Sequence, residues 1–294
     1  MLKSRIPLCL TGIFALLLVL SGCGADNYAR KAEEYYAIGE YFDAAEEYKK
    51  AYSHTPVKEK DKRGERAWKM AESYRHIGYS AKAAGGYQNA VRYKAGGPEA
   101  ILRLAQMQHW MGKYNDAIKN YKLYLDSVPN SQEALNGLKG CQQAPIWKKQ
   151  GSLYTIKKHP ILSSRRVDYS PALYGEDYDQ LYFTTTRPQA SGDDLSGVTG
   201  VKMADIFFSQ KDDKGKWGKP EAVAGELNSA YEDGACSFSP DGKTMYFTRC
   251  THDPSYPRYA KIMSSSRADA AWSKAQEIEI ISDTLSSFAY PAVS

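Results

Sequence analysis

One sequence pattern occurs three times in the first half of the chain. The copies are GEYFDAAEEYKKAYSHTP (39–56), GYSAKAAGGYQNAVRYKA (78–95) and GKYNDAIKNYKLYLDSVP (112–129), and their first glycines are 39 and 34 residues apart. Glycine permits a sharp turn, and Pro56 and Pro129 end a helix. Each copy is therefore predicted to be the second helix of a helical hairpin, and the repeat predicts a stack of such hairpins.

Small residues recur where the paired helices would meet. Large side chains, mostly tyrosines, occupy the positions beside them and are predicted to form the core. The middle copy differs, because Gly85 and Gly86 weaken its second helix. A further helix over about 131–142 is expected to cap the stack. The small residues are Ala32, Ala44, Ala51, Ala71, Ala83, Ala90, Ala105 and Ala117.

These residues resemble the tetratricopeptide (TPR) family, whose period is about 34 residues. The resemblance implies that the first helix of each repeat lines a groove that holds a peptide or a partner helix. Aromatic residues and arginine are the residue types that dominate protein-binding hot spots. The alternative is that the two tryptophans pack against neighbouring helices. The implied partner-binding residues are Tyr36, Trp68, Arg75, His76, His109 and Trp110.

After a linker at 142–151 the sequence changes to short strand-like runs between turn residues. The clearest unit is CSFSPDGKTMYFTR (236–249), in which Pro240-Asp241-Gly242 is a strong turn between two strands. YSPALYGEDYDQLYFTT (169–185) repeats it in a degenerate form. Antiparallel hairpins are predicted at both places.

Outer-strand segments repeat as well. DIFFSQ (205–210) followed by WGKPEAV (217–223) corresponds to KIMSSS (261–266) followed by WSKAQEI (272–278), with the two tryptophans 55 residues apart. The units resemble PD40 (WD40-like, TolB-type) blades, which implies a β-propeller. In addition AYPAVS (289–294) lies one 55-residue period after GACSFS. We therefore expect about two blades and a chain truncated within a third.

The N-terminus has the pattern of a signal peptide. Lys3 and Arg5 precede an apolar stretch at 6–20, which is short for a membrane-spanning helix. The following LSGC resembles the lipobox of bacterial lipoproteins, which implies removal of residues 1–22 and lipidation of Cys23. The resemblance also implies attachment to the outer membrane at its periplasmic face. The alternative is an ordinary cleaved signal with an incidental cysteine.

Catalytic chemistry is not indicated. The sequence has no nucleophile-elbow, metalloprotease, Walker A or dinucleotide motif, and its five histidines are scattered. Residues 24–150 hold 21 Lys/Arg and 15 Asp/Glu, a net charge of +6, and lack the interleaved basic and aromatic pattern of a nucleic-acid site. We predict no enzyme activity, no catalytic residue, no metal, no cofactor and no nucleic-acid partner.

Of the five cysteines, Cys9 would leave with the signal peptide and Cys23 would carry lipid, so Cys141, Cys236 and Cys250 are the remaining thiols. A turn centred near Asp241 places Cys236 opposite residue 246 or 247, so a disulfide between Cys236 and Cys250 is not expected. Asp193 and Asp194 are interpreted as part of a solvated loop rather than as ligands of a cation.

The fold class expected is α + β multidomain. It comprises a signal peptide (1–22), a TPR solenoid with a capping helix (23–143) and an incomplete antiparallel β-propeller (144–294). This order resembles envelope lipoproteins that continue into an OmpA-like, peptidoglycan-binding domain, some of which tether the type IX secretion apparatus. The resemblance implies a scaffold for envelope proteins, with peptidoglycan as a partner only if such a domain follows. The alternatives are an assembly factor for outer-membrane proteins, and a propeller enzyme or glycan-binding protein with a TPR docking arm.

Overall fold

The structure is a computed structural model and describes most of the chain beyond the predicted signal peptide. Cys23 and residues 1–22 lie outside the described residues. Contacts divide the chain into two units: the first ends at Tyr154 and also counts Gly197–Thr199, and the second takes the remainder. The described ranges are 24–192, 194–251, 257–267, 269–283 and 286–293.

The first unit consists of helices joined by short turns. Gly39, Gly78 and Gly112, the first glycines of the three repeat copies, all have positive φ angles in these turns. The predicted TPR-like helical region is confirmed. Its helices are α1 (residues 24–37), α2 (Tyr41–His54), α3 (Lys60–His76), α4 (Ser80–Arg92), α5 (Gly97–Trp110), α6 (Tyr114–Ser127) and α7 (Gln132–Gln150).

The first helices of the repeats form one parallel layer. Lys62 contacts Asp26 at 3.4 Å and Lys69 contacts Glu33, and both pairs are 36 residues apart, as expected for two parallel helices. Helix α3 lies antiparallel to α4, since Gly64 faces Tyr93 and Gly86 faces Ala71. Helix α5 is also antiparallel to α4, because the end of α4 packs with the start of α5 and the start of α4 with its end, and α5 contacts α7. The C-terminal ends of α1, α3 and α5 therefore lie along one edge of the layer.

Small residues bring the helices together. All eight alanines predicted at the helix contacts are 0% exposed. Gly86 has the same role, because a Cβ atom at this position would lie 2.8 Å from the Cβ of Ala71. The sequence predicts that Gly85 and Gly86 weaken this helix, yet α4 is continuous through both residues. Gly86 has a packing role in addition, because its lack of a side chain lets α3 approach α4 closely.

Helix α7 is longer than the predicted capping helix. Ser131 caps it by accepting a hydrogen bond from the Ala134 amide, and the helix then runs through Pro145 to Gln150. The predicted linker at 142–151 is therefore wrong over residues 142–150, which form the last turns of α7. Proline lacks an amide proton and ordinarily disfavours a helix interior, so a helix that continues through Pro145 is not expected from the local sequence.

The second unit contains two four-stranded antiparallel sheets, and each has its strands in sequence order, as a propeller blade does. Both predicted hairpins are confirmed. The outermost strands are much shorter than predicted, and Trp217 forms only an isolated bridge to Lys211. The strands are β1 (Asp168–Tyr174), β2 (Gln180–Thr185), β3 (Asp205–Gln210) and β4 (Glu221–Ala222), then β5 (Glu232–Phe238), β6 (Thr244–Thr251), β7 (Tyr259–Ser266) and β8 (Gln276–Glu277).

The predicted register of the second hairpin is confirmed. Cys250 pairs with Glu232 rather than with Cys236, and both cysteines are free. Buried apolar side chains from both sheets, including Tyr182, Ile206 and Phe247, form one core between them. A closed ring of blades stays a prediction.

Each of the two sheets has the same polar network, which is half-buried in the first sheet and buried in the second. In the first, Asp168 accepts hydrogen bonds from the amide and hydroxyl of Ser164 and pairs with Arg187 at 3.3 Å. In the second, Asp233 accepts the same bonds from Ser229 and pairs with Arg249 at 2.6 Å. Because buried charges need partners, this network fixes the start of each first strand.

A backbone feature also recurs in the second unit. Ala235 and Tyr290 have φ angles of 51° and 57°, and their amides donate to the hydroxyls of Thr184 and Thr248 at 3.0 and 2.9 Å. Tyr290 thus repeats the backbone conformation and the hydrogen bond of Ala235, which lies 55 residues earlier. A third hairpin stays a prediction.

Two adjacent glycines provide a matched test of helix packing. We expect Gly86→Ala to lower the free energy of unfolding of the helical unit by about 1–3 kcal/mol, because its Cβ atom would overlap that of Ala71. A Cβ atom at Gly85 would meet nothing within 4 Å. Gly85→Ala should therefore raise the free energy of unfolding by about 0.5–1 kcal/mol, because alanine favours a helix more than glycine does. Urea unfolding followed by far-ultraviolet circular dichroism measures both; equal effects of the same sign would contradict the packing.

Candidate partner-binding surface

Tyr36 and His76 meet at the C-terminal ends of α1 and α3. The Tyr36 hydroxyl and His76 Nε2 share a hydrogen bond of 3.1 Å. The Tyr41 ring stacks on the imidazole at 4.4 Å with an interplanar angle of 9°. Burial, with Arg75 nearby, lowers the pKa of His76, so the imidazole is neutral at pH 7 and has one donor and one acceptor nitrogen. The three rings form an aromatic cluster, hereafter the Tyr36 cluster.

Tyr41 was not among the residues predicted for the site. It begins α2 just after the Gly39 turn, and the repeat pattern indicates a packing role for a tyrosine at this position. Its stacking partner, His76, lies 35 residues later, so only the meeting of two repeats brings the rings together.

Arg75 belongs to an internal network. Its guanidinium donates to Glu72 Oε2 at 2.7 Å. The other carboxylate oxygen of Glu72 accepts a hydrogen bond from the Tyr87 hydroxyl. Burial and this hydrogen bond raise the pKa of Tyr87. The network ties α3 to α4, and the positive charge of Arg75 is balanced within the helical unit.

Trp68 packs between helices, as the alternative from the sequence proposed. Its indole contacts the Tyr87 ring edge-on at 5.4 Å. It also covers the Gly96 turn, where a Cβ atom would lie 2.6 Å from the indole. Glycine at this turn therefore makes the space that Trp68 fills.

His109 and Trp110 are neighbours in sequence but have different surroundings. His109 lies beside Tyr114 and Tyr121, at centroid distances of 5.9 and 6.2 Å, and against Gly140 of α7. Burial lowers its pKa. Trp110, the last residue of α5, is 63% exposed. Of this pair, Trp110 is the side chain that a partner can reach.

The six predicted residues thus fall into two groups. Trp68, Arg75 and His109 make contacts within the helical unit. Tyr36, His76 and Trp110 lie at the edge formed by the C-terminal ends of the first helices, hereafter the C-terminal edge. Tyr36 is half-buried, whereas His76 and Trp110 are exposed; together they provide apolar area and hydrogen bonds, which suit a protein segment. The binding role of these residues stays a prediction.

Cys23, the predicted lipidation site, and Asp193 lie outside the described residues. Within the described ranges, no group of three or more His, Cys, Asp or Glu residues is placed to hold a metal ion. None of the helices in this part of the chain is both long enough and apolar enough to cross a membrane.

Neither protein-family models nor curated proteins gave a match to the sequence. Solved structures of TPR domains resemble part of it. The first TPR of Spaghetti (RPAP3) bound to the HSP90 peptide SRMEEVD is 24% identical, with a TM-score of 0.36 and coverage of 42% of this chain and 95% of that one.

Two further structures are similar to the same degree. The C-terminal TPR-containing domain of the Plasmodium falciparum putative FK506-binding protein PFL2275c is 16% identical, with a TM-score of 0.38 and coverage of 45% of this chain and 94% of that one. The Sgt2 TPR domain from Aspergillus fumigatus is 20% identical, with a TM-score of 0.35 and coverage of 48% and 91%. Similarity at this level carries no information about function.

The two tryptophans of the first helices should respond differently to truncation. We expect Trp68→Ala to lower the free energy of unfolding of the helical unit by about 2–4 kcal/mol, because it leaves a cavity between α3, α4 and the Gly96 turn. Trp110→Ala should change it by less than about 0.5 kcal/mol. Urea unfolding measures both variants. A loss at Trp110 as large as that at Trp68 would show that Trp110 packs within the fold.

Proposed function

We propose that this chain is a non-enzymatic scaffold lipoprotein of the bacterial cell envelope, and that its helical unit binds a protein partner at the C-terminal edge. The observation that carries the proposal is the exposure of Trp110 on the same edge as the Tyr36 cluster. Large rings that remain accessible at a helix-layer edge are the usual anchors of a bound protein segment.

The charges of the first helices favour an apolar or aromatic segment over an acidic one. Lys69 is paired with Glu33, Arg75 with Glu72, and Arg103 with Glu99 and Glu133. An acidic partner would have to displace these carboxylates from the basic side chains. Its negative charge would therefore add little to the binding free energy. Ring contacts and hydrogen bonds to Tyr36 and His76 would then supply most of the affinity.

The lipoprotein part of the proposal rests on the sequence. The LSGC motif after a short apolar stretch supports acylation of Cys23, and several acyl chains hold a protein firmly on a membrane. The resemblance of the sequence to TPR–PD40 envelope lipoproteins supports a location at the periplasmic face of the outer membrane. There it would link envelope proteins, with secretion components as the first candidates. Peptidoglycan binding would require an OmpA-like domain.

In-cell crosslinking tests the partner-binding edge. A photo-reactive amino acid at position 110 should capture a protein, because the native side chain there is 63% exposed. The matched control is position 123 on α6, where an exposed leucine lies on the second-helix layer. Mass spectrometry identifies the adducts: secretion components support the scaffold, whereas barrel precursors indicate an assembly factor. Equal capture from both positions would contradict the assigned edge.

Acylation gives a separate test. The variant Cys23→Ser should lose incorporation of labelled palmitate and should leave the outer-membrane fraction, because the thiol that carries the diacyl group is gone. Cys141→Ser is the matched control, since that thiol is buried in α7. Palmitate incorporation that survives Cys23→Ser would contradict lipidation at this residue.

A further inference from the structure

The end of α7 and the residues after it carry an exposed segment of unusual composition. Residues 145–158, PIWKKQGSLYTIKK, are exposed throughout. They contain five large apolar side chains, of which Trp147 is 58%, Ile156 93% and Leu153 100% exposed. Linkers that stay in water are ordinarily polar or rich in glycine and proline. An exposed run of this kind therefore indicates a binding surface.

Charge identifies the kind of surface that this segment fits. It contains Lys148, Lys149, Lys157 and Lys158 and no acidic residue. The surrounding stretch, 134–167, holds seven Lys/Arg and no Asp or Glu over 34 residues. Complementary surfaces must therefore be anionic.

The lysines of this segment favour a lipid surface over a protein partner. Protein–protein interfaces are depleted in lysine, whereas lysines beside tryptophan and tyrosine are typical of the membrane–water boundary. There the rings and aliphatic side chains enter the headgroup region, and lysine stems extend their ammonium groups to lipid phosphates. The mixture of Trp147, Tyr154 and four lysines matches this pattern.

We propose that residues 145–158 bind the surface of an anionic phospholipid membrane. The last turns of α7 would present Ile146 and Trp147 to the headgroup region, and Leu153 and Ile156 would follow in the extended part. This contact is made by the polypeptide itself and does not require acylation of Cys23. Because weak membrane contacts become stable when two are combined, it would also hold an anchored chain close to the bilayer.

Vesicle co-sedimentation tests the proposal on the mature polypeptide, residues 23–294, with Cys23→Ser so that no acyl chain contributes. Vesicles of phosphatidylcholine alone are compared with vesicles that also contain phosphatidylglycerol. We expect binding to the anionic vesicles and at least about tenfold weaker binding to the neutral ones, because each lysine near an anionic surface adds several-fold.

Two variants assign the binding to this segment. The first replaces Ile146, Trp147, Leu153 and Ile156 by serine, and the second replaces the four lysines by glutamine; each should weaken binding at least about tenfold. The control replaces four exposed lysines elsewhere, Lys58, Lys60, Lys119 and Lys122, by glutamine, and removes the same charge. It should bind as the parent does.

Three outcomes would overturn the proposal: no binding to anionic vesicles, an equal loss in the charge-matched control, or unchanged binding in the serine variant. Circular dichroism should be unchanged in every variant, because the replaced side chains are exposed. The assay does not depend on a partner protein or on Cys23. Its failure is therefore distinct from failure of the crosslinking or palmitate tests.

Discussion

Contact between small residues of neighbouring helices is the constraint on which the helical unit depends. Alanines at the helix crossings are completely buried, and Gly86 lies where even one methyl group would overlap Ala71. Close approach at these points sets the spacing of the helices. Buried tyrosines beside them, such as Tyr48, Tyr74 and Tyr87, then fill the remaining volume. The parallel layer of first helices, with its C-terminal edge, follows from this spacing.

The second unit depends on a different interaction. In both sheets an aspartate, half-buried in the first sheet and buried in the second, accepts hydrogen bonds from a serine four residues earlier. It also pairs with an arginine that lies on the second strand or just after it. Removing one member of such a network would leave a buried charge without a partner, which is strongly destabilising. The threonine hydroxyls that accept amides of the following repeat extend this order along the chain. A threonine on the second strand of each sheet therefore binds a backbone amide of the segment that begins the following repeat.

The candidate site shows why exposure is hard to predict from a repeat pattern. The pattern places Trp68 and Trp110 on the same type of helix, yet Gly96 makes a space for Trp68 while Trp110 remains open to solvent. Arg75 similarly has a carboxylate within reach on its own helix. Tyr41 joins the Tyr36 cluster because two repeats place it against His76. Each of these outcomes depends on what a neighbouring element puts opposite the side chain.

The sequence by itself determined the helical hairpins, the two β-hairpins and the register that keeps Cys236 and Cys250 apart, because periodicity and turn chemistry are local. It did not determine the length of α7, since Pro145 argues locally against a helix that in fact continues to Gln150. Tertiary structure alone decided which predicted groove residues are used in packing and which stay accessible. The physical reason is that burial depends on both partners of a contact, and the second partner is distant in sequence.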